Sequence, residues 1–289
     1  MENKTNIQTV VVTGATSGIG FAVTNLLVQK GAYVIGVGRS EQRNRTAQKC
    51  ILTKYPYGRI DYLRADLGEP EIVKRLATDI RHLLNEKGYS HLDALINNAG
   101  VYLEKKQSNT EGIEKTFAIN HLAQFQLTHD LLTLLARSKM GKMISVSSYA
   151  HFTTPLNLGR IANPWPYIGL LAYKRSKLCN VLFVRGLNKR TDQIIAFAAD
   201  PGLVNTHIAS KSGEGISDWV WSHRRKSGMS PETAAEDLVF ILTSKGLDPS
   251  NGQYIKERKP LQPSRNARND DLVERLWALS CELTGLSWE

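Results

Sequence analysis

Cysteine is scarce in this chain. Three residues in 289 (Cys50, Cys179 and Cys281) are widely spaced and odd in number, which gives neither a disulfide framework nor a zinc-ligand spacing. Long apolar runs are missing: no stretch of about eighteen such residues occurs, which argues against a transmembrane helix. The opening MENKTNIQTVVVTGATSG has only a short apolar run, and that run leads into a glycine motif rather than a cleavage site, so no secretory signal is expected. Internal repeats, low-complexity tracts and linkers are lacking too. These absences leave one globular chain in a reducing, cytoplasmic setting with no membrane span. At 42% hydrophobic and 22% charged residues the composition is that of an ordinary folded protein, long enough to bury a core.

Acidic charge is also in short supply, and the net charge is +10. Such an excess fits nucleic acid, an anionic surface or a phosphorylated ligand. It is concentrated between Arg39 and Arg64, where Arg39, Arg43, Arg45, Lys49, Lys54, Arg59 and Arg64 face only Glu41 and Asp61. A second cluster is SHRRK at 222–226. No nucleic-acid-binding motif accompanies either cluster, and most of these charges read as solvated faces.

What is present is a rhythm. TVVVT (9–13) reads as a buried strand and GIGFAVTNLLVQKG (18–31) as a helix closed by Gly31. Further strands are expected at 33–38, 59–67, in LDALINNAG, in KMISVSS, in QIIAFAADPG and at 252–255. Helices are expected to Lys54, over 69–88, 110–137, 172–190 and 230–244, and at the C-terminal end. Strands alternating with crossover helices predict one doubly wound α/β domain over 1–289, with a seven-stranded parallel sheet in the order 3-2-1-4-5-6-7. Two long connections, 149–171 and 205–229, interrupt the rhythm, as functional segments do.

TGATSGIG (13–20) lies at the first strand-to-helix turn. Glycine there allows close backbone approach, and the free N–H groups of the next helical turn suit a phosphate. An ordinary glycine turn is the plainer alternative, but a loop that follows a strand and opens a helix has the context nucleotide binding demands. Tyr173 and Lys177 sit one helical turn apart on one face. They are either chance surface neighbours or an acid–base pair. A phenol titrates near 10, and use near neutrality calls for a shift of roughly 3 units, or about 4 kcal/mol. A partly desolvated ammonium one turn away is the expected source of part of that shift.

Taken with NNAG (97–100), Asn120, VSS (146–148) and PGLVNT (201–206), these motifs resemble the short-chain dehydrogenase/reductase superfamily over nearly the whole chain. YKRSKLCNVLFVRGLNKR, the long gap between Ser148 and Tyr173, and the ending NGQYI…RLWALSCELTGL are most similar to its retinol-dehydrogenase-like group. The resemblance implies a catalytic set of Asn120, Ser148, Tyr173 and Lys177. Tyr173 would be the proton donor, Ser148 (rather than Ser147) would bind the substrate oxygen, Lys177 would reach the nicotinamide ribose, and Asn120 would hold a relay water. Asn120 taken alone also reads as a helix-interior residue that bends or caps the backbone.

The resemblance further implies a cofactor cleft formed by Thr13, Gly14, Ser17, Gly18, Ile19 and Gly20, by Asn98, Ala99 and Gly100, and by Tyr173 and Lys177. Asp66 and Leu67 would contact adenine, although Asp66 reads equally as a helix cap, and Pro201, Gly202, Val204 and Thr206 would clamp the carboxamide. At the end of the second strand an acidic residue favours NAD, whereas an Arg accommodates the 2′-phosphate of NADP. Arg39, with Ser40 beside it, predicts NADP(H). Asp200, before Pro201, departs from the His or Asn of many relatives.

The implied reaction is hydride transfer between NADP(H) and a small-molecule carbonyl or alcohol, with a lipophilic aldehyde or ketone expected. Trp165, Trp219 and Trp221 with Ile216 and Val220 suggest an apolar wall, or ordinary packing. His223, Arg224, Arg225 and Lys226 suit an anionic tail, and Gly213 and Gly215 suit a hinged lid over 205–229. Membrane-bound members of the group carry an N-terminal anchor that is not expected here. The rival readings are a non-catalytic NADP(H)-binding redox sensor, a nucleic-acid-associated protein, and an epimerase or dehydratase. Homo-oligomerisation is left open.

Overall fold

A strand buried on both faces is apolar along its whole length rather than at alternate positions. Thr9–Thr13 (β1), Tyr33–Gly38 (β2), Ala94–Asn97 (β4) and Lys142–Val146 (β5) are buried at every residue. The structure, a computed structural model, describes residues 7–139, 141–204 and 228–288. With Arg59–Arg64 (β3), Ile195–Asp200 (β6), Tyr254–Lys256 (β7) and Lys259–Pro260 (β8), these strands form one sheet in the order β3-β2-β1-β4-β5-β6-β7-β8. The first seven pair in parallel in the expected order. The eighth is an addition: two residues that fold back antiparallel on β7. The turn between them holds Glu257 at φ 49° and Arg258 at φ 62°, the positive-φ pair that two-residue hairpins use.

Helices cover both faces. Gly18–Gln29 (α1) and Pro231–Thr243 (α7) pack on the layer containing Val10, Val12, Val34, Ile96, Ile144 and Phe197. Pro70–Glu86 (α3), Ala123–Ala136 (α5), Gly169–Asn188 (α6) and Asp270–Thr284 (α8) pack on the opposite layer, with Val11, Ile35, Leu95 and Met143. Glu41–Lys54 (α2) follows β2, where the Ser40 hydroxyl caps it by accepting from the Arg43 amide at 3.4 Å. Ser230 caps α7 and Pro231 fills its first position, as the sequence predicts.

The helix expected over 172–190 starts earlier, at Gly169, and three other boundaries differ from expectation for local reasons. The helix expected over 110–137 begins at Lys115, because the Glu114 carboxylate accepts from the amides of Thr116 and Phe117 at 2.8 Å each and starts it there. That helix is a short turn Lys115–Phe117 (α4), a π-helical turn Ala118–Leu122 and then α5. β3 stops at Arg64, after which Asp66 forms a side-chain turn with the Gly68 amide at 3.0 Å. β7 begins two residues later than expected, since the Gly252 amide bonds the Ala196 carbonyl at 2.9 Å before the ladder starts.

Strand order reverses between β1 and β4, both of which continue into motif loops. Parallel sheets place their ligand crevice outside the carboxyl ends of the strands at this switch point.

Candidate active site

The glycine loop is built by close approach. Gly14 has φ +69°, and a β-carbon on it would stand 3.0 Å from Ala99 Cα and from Asn98 Nδ2. A β-carbon on Gly20 would fall 2.3 Å from the Gly14 carbonyl oxygen, so α1 can start against this loop only with glycine there. Thr13 straps the two motif loops together. Its hydroxyl accepts from the amides of Asn98 and Ala99 at 3.0 Å each, and Asn98 Nδ2 donates to the Thr13 carbonyl at 2.8 Å. Ser17 precedes α1 without capping it by its side chain, and the first turn holds no acidic residue. An uncapped helix start with glycine walls fits a phosphate.

At the end of β2, Arg39 is exposed. Ser40, expected beside it as a cofactor contact, has its hydroxyl engaged as the α2 cap. Asp66 is engaged in its turn with Gly68, and Leu67 is partly buried against the core. The helix-cap alternative for Asp66 does not hold either: the residue preceding α3 is Glu69, and the Asp66 carboxylate turns the chain just ahead of it.

The catalytic candidates converge above β4 and β5. Tyr173 is 7% exposed and hydrogen-bonded with the Ser148 side chain. Ser148 Oγ also accepts from the Ala150 amide at 3.2 Å. Ser147 points elsewhere, donating to the Lys177 carbonyl at 2.8 Å. Lys177 is 3% exposed; its Nζ donates to the Val146 carbonyl at 2.9 Å and lies 5.6 Å from the Tyr173 ring centroid. A β-carbon on Gly100 would stand 3.5 Å from both Lys177 Nζ and Asn120 Oδ1, so the NNAG loop runs directly over the ammonium.

Asn120 lies in the π-helical turn with both ends of its amide bound. Oδ1 accepts from the Val101 amide at 2.8 Å, and Nδ2 donates to the Val101 carbonyl at 3.0 Å and to Ser176 Oγ at 2.9 Å. The Gln124 side chain donates from Nε2 to the Asn120 carbonyl. Asn120 therefore ties the loop after β4 to α6, a structural role akin to the helix-interior alternative read for it from sequence.

Electrostatics differ from the expectation for Tyr173. In the protein alone its phenol is pushed up to about 12, first by burial and then by the negative charge of Asp200, with the Ser148 hydrogen bond opposing. Burial holds Lys177 down to about 8 against the attraction of Asp200. Desolvation outweighs the one-turn spacing in both groups. The residues that sequence reasoning missed sit behind them. Tyr254 donates to Asp200 at 2.5 Å, and His151 makes contact with the Ser148 carbonyl at 2.8 Å.

Pro201, Gly202 and Val204 follow directly from β6, and Val204 bridges to Met229. Thr206 and the lid residues Gly213, Gly215, Ile216, Trp219, Val220, Trp221, His223, Arg224, Arg225 and Lys226 lie outside the described residues. Trp165, expected in an apolar wall, is 77% exposed.

The family profile described as short chain dehydrogenase matches residues 8–217. The chain belongs to this short chain dehydrogenase family. It is 32% identical to retinol dehydrogenase 12 of Mus musculus over 99% of its own length and 90% of that protein. It is 31% identical to polyprenol dehydrogenase of Mus musculus, covering 95% and 83%. A protein from Mycobacterium paratuberculosis superposes with a TM-score of 0.75 at 26% identity, covering 98% and 97%. A short chain dehydrogenase from Shigella flexneri complexed with NADP superposes at 0.68 with 21% identity, covering 90% and 100%. The protein is thus a nicotinamide-dependent oxidoreductase of the retinol-dehydrogenase-like group. No helix among its described residues is long and apolar enough to cross a membrane.

Proposed function

We propose that this short chain dehydrogenase uses NADP(H) to interconvert a lipophilic aldehyde or ketone and its alcohol, within one catalytic domain. The observation that carries the reading is the hydrogen-bonded Ser148–Tyr173 pair lying over the buried ammonium of Lys177.

The uncapped start of α1, walled by Gly14, Gly18 and Gly20, would hold the cofactor diphosphate through the amides of Ser17 to Gly20. Arg39 would take the 2′-phosphate with its planar fork of donors. Asn98 to Gly100, Lys177 and Pro201 to Val204 would line the nicotinamide end. When bound, the cofactor supplies or accepts the hydride. Tyr173 gives its phenolic proton to the carbonyl oxygen during reduction, while the Ser148 hydroxyl donates to the same oxygen and stabilises the charge that develops on it. Lys177 compensates the phenolate left behind.

Support for a lipophilic substrate comes from the rim. Among the described residues, the large apolar side chains left exposed include Tyr149 beside Ser148, Trp165, Ile168 and Leu170 ahead of Tyr173, and Leu203 beside Gly202. Tyr57, Phe240 and Leu261 are exposed elsewhere, but these five lie near candidate site residues in the chain, where apolar surface would suit a lipophilic ligand. The relatives named for retinol and polyprenol point the same way.

The test is initial-rate oxidation of NADPH and NADH against a panel of aldehydes and ketones of increasing chain length. Tyr173→Phe should lower kcat by roughly 10²- to 10⁴-fold while leaving NADPH affinity nearly unchanged. Tight NADPH binding without turnover on any member of the panel would favour a redox sensor instead.

A further inference from the structure

His151 is fully buried and lies in the 3₁₀ turn Tyr149–Thr153, directly after Ser148. Both nitrogens of its ring are bound. Nδ1 stands 2.8 Å from the Ser148 carbonyl oxygen, and Nε2 stands 3.2 Å from the Ser264 amide nitrogen. A carbonyl can only accept and a backbone amide can only donate, so each contact independently selects the same tautomer. Nδ1 carries the hydrogen and Nε2 offers its lone pair. The ring is therefore neutral, and burial, which holds it below its ordinary titration range, agrees.

Neither end of this bridge is loose. At the outer end Ser264 is buried, its hydroxyl accepts from the Ala267 amide at 3.3 Å, and its carbonyl accepts from the Arg268 amide at 3.2 Å. Asn266 in the same turn donates to the Thr154 carbonyl at 3.0 Å. The turn ahead of α8 thus grips the segment after β5 at two points. Between the ends, the imidazole is held by the rings of Phe152 and Tyr254, with centroids at 4.2 Å and 4.7 Å.

At the inner end the Ser148 carbonyl accepts twice from His151, from its backbone amide at 3.1 Å and from its ring. The Ala150 amide takes an acceptor position of Ser148 Oγ. The hydroxyl hydrogen is then left for the groups in front of it, and Ser148 and Tyr173 are already hydrogen-bonded through their side chains. Where that hydroxyl aims depends on how the Ser148 backbone is held, and the holding group is His151.

We propose that His151 is a positioning residue that acts through Ser148: its ring, seated on the Ser264 amide, donates to the Ser148 carbonyl and fixes the angle at which the Ser148 hydroxyl meets Tyr173 and the substrate oxygen. The proposal rests on the oxidoreductase reading above and adds a residue that touches neither substrate nor cofactor.

The experiment measures kcat for NADPH-dependent carbonyl reduction in the full chain, with His151→Phe, His151→Asn and His151→Gln, each alone and on Ser148→Ala. His151→Phe keeps a ring among its aromatic neighbours and removes the donor, and should lower kcat roughly ten- to a hundredfold with NADPH Kd unchanged. An Asn side chain places an N–H where Nδ1 stands, so His151→Asn should recover most of that loss. A Gln side chain reaches only the Nε2 position, so His151→Gln should not. On Ser148→Ala, His151→Phe should cost less than about twofold more, because the group it acts through is gone. A His151→Phe loss that repeats in full on Ser148→Ala overturns the proposal. Should His151→Phe fail to fold, the other pair decides: equal kcat in His151→Asn and His151→Gln overturns it.

A second readout needs no turnover. The ¹⁵N spectrum of histidine-labelled protein near neutral pH, with the His151 signals identified by their loss in His151→Asn, should show a neutral ring protonated at Nδ1. A ring protonated at Nε2, or at both nitrogens, overturns the bridge. Absence of turnover in the wild type would defeat the functional reading, and the tautomer would still decide whether His151 holds Ser148 in this way.

Discussion

Arg39 stands exposed where β2 ends, and the acid nearest in sequence, Glu41, is paired with Arg45 at 3.0 Å. Its guanidinium is therefore available to a phosphate, and a charged hydrogen bond of this kind contributes about 1.5–3 kcal/mol. Arg39→Asp should raise the KM for NADPH roughly ten- to a hundredfold and leave the KM for NADH unchanged or lower. A parallel rise for both cofactors would show that Arg39 serves the fold rather than the phosphate. For Tyr173 and Lys177 the sequence displays spacing but not environment. The spacing is compatible with an ammonium drawing the phenol down, whereas in the folded protein burial is the largest influence on each group and drives the two in opposite directions. An oxidised nicotinamide held by Lys177 and the NNAG loop would supply positive charge that opposes the effect of burial on Tyr173.

α1 shows how an element carries a site. Gly20→Ala would drive a β-carbon to 2.3 Å from the Gly14 carbonyl, opening the loop proposed to hold the diphosphate. We expect at least a tenfold weaker NADPH Kd by fluorescence titration, together with about 1–3 kcal/mol of lost stability from overpacking. Gly31→Ala, with nothing within 4 Å, should strain the helix end and spare cofactor affinity; equal loss of affinity in both variants would sink the argument. Elements of this kind are legible in sequence because their chemistry is local. Glycine spacing, the β-branched runs and the cap at Ser230 all sit within a few residues of what they determine. Two features were not legible: Glu114, a residue type that is not a usual cap, starts a helix by binding two amides, and Asn120 sits in a π-turn tied to Val101. The network behind the catalytic pair was hidden for a related reason. Tyr254 meets Asp200 across 54 residues, and His151 meets Ser264 across 113, so no window of sequence contains either contact.

At the scale of the whole molecule, His121 joins the π-turn to α6 and α8. Its ring stacks on Phe117 at 5.2 Å and meets Phe183 edge-on at 6.1 Å. The Ser280 hydroxyl spends its proton on the Leu276 carbonyl at 2.7 Å, so His121 donates to it from Nε2 at 2.9 Å. Nδ1 is then a bare acceptor, buried without a partner. Protonation would place a second N–H in an apolar cluster, and burial accordingly depresses the imidazole to about 3. The unfolded chain takes up that proton near 6.5, so between about 6.5 and 3 the unfolded state binds more protons and stability falls as pH drops. His151, also held below its ordinary range by burial, adds to the same slope. His121→Phe removes the titration while keeping an aromatic ring among its neighbours. It should therefore narrow the gap in urea midpoint between pH 7 and pH 4.5, even if it lowers both. A variant whose midpoint drops over that interval as steeply as the wild type would mean that the acid sensitivity of this fold originates elsewhere.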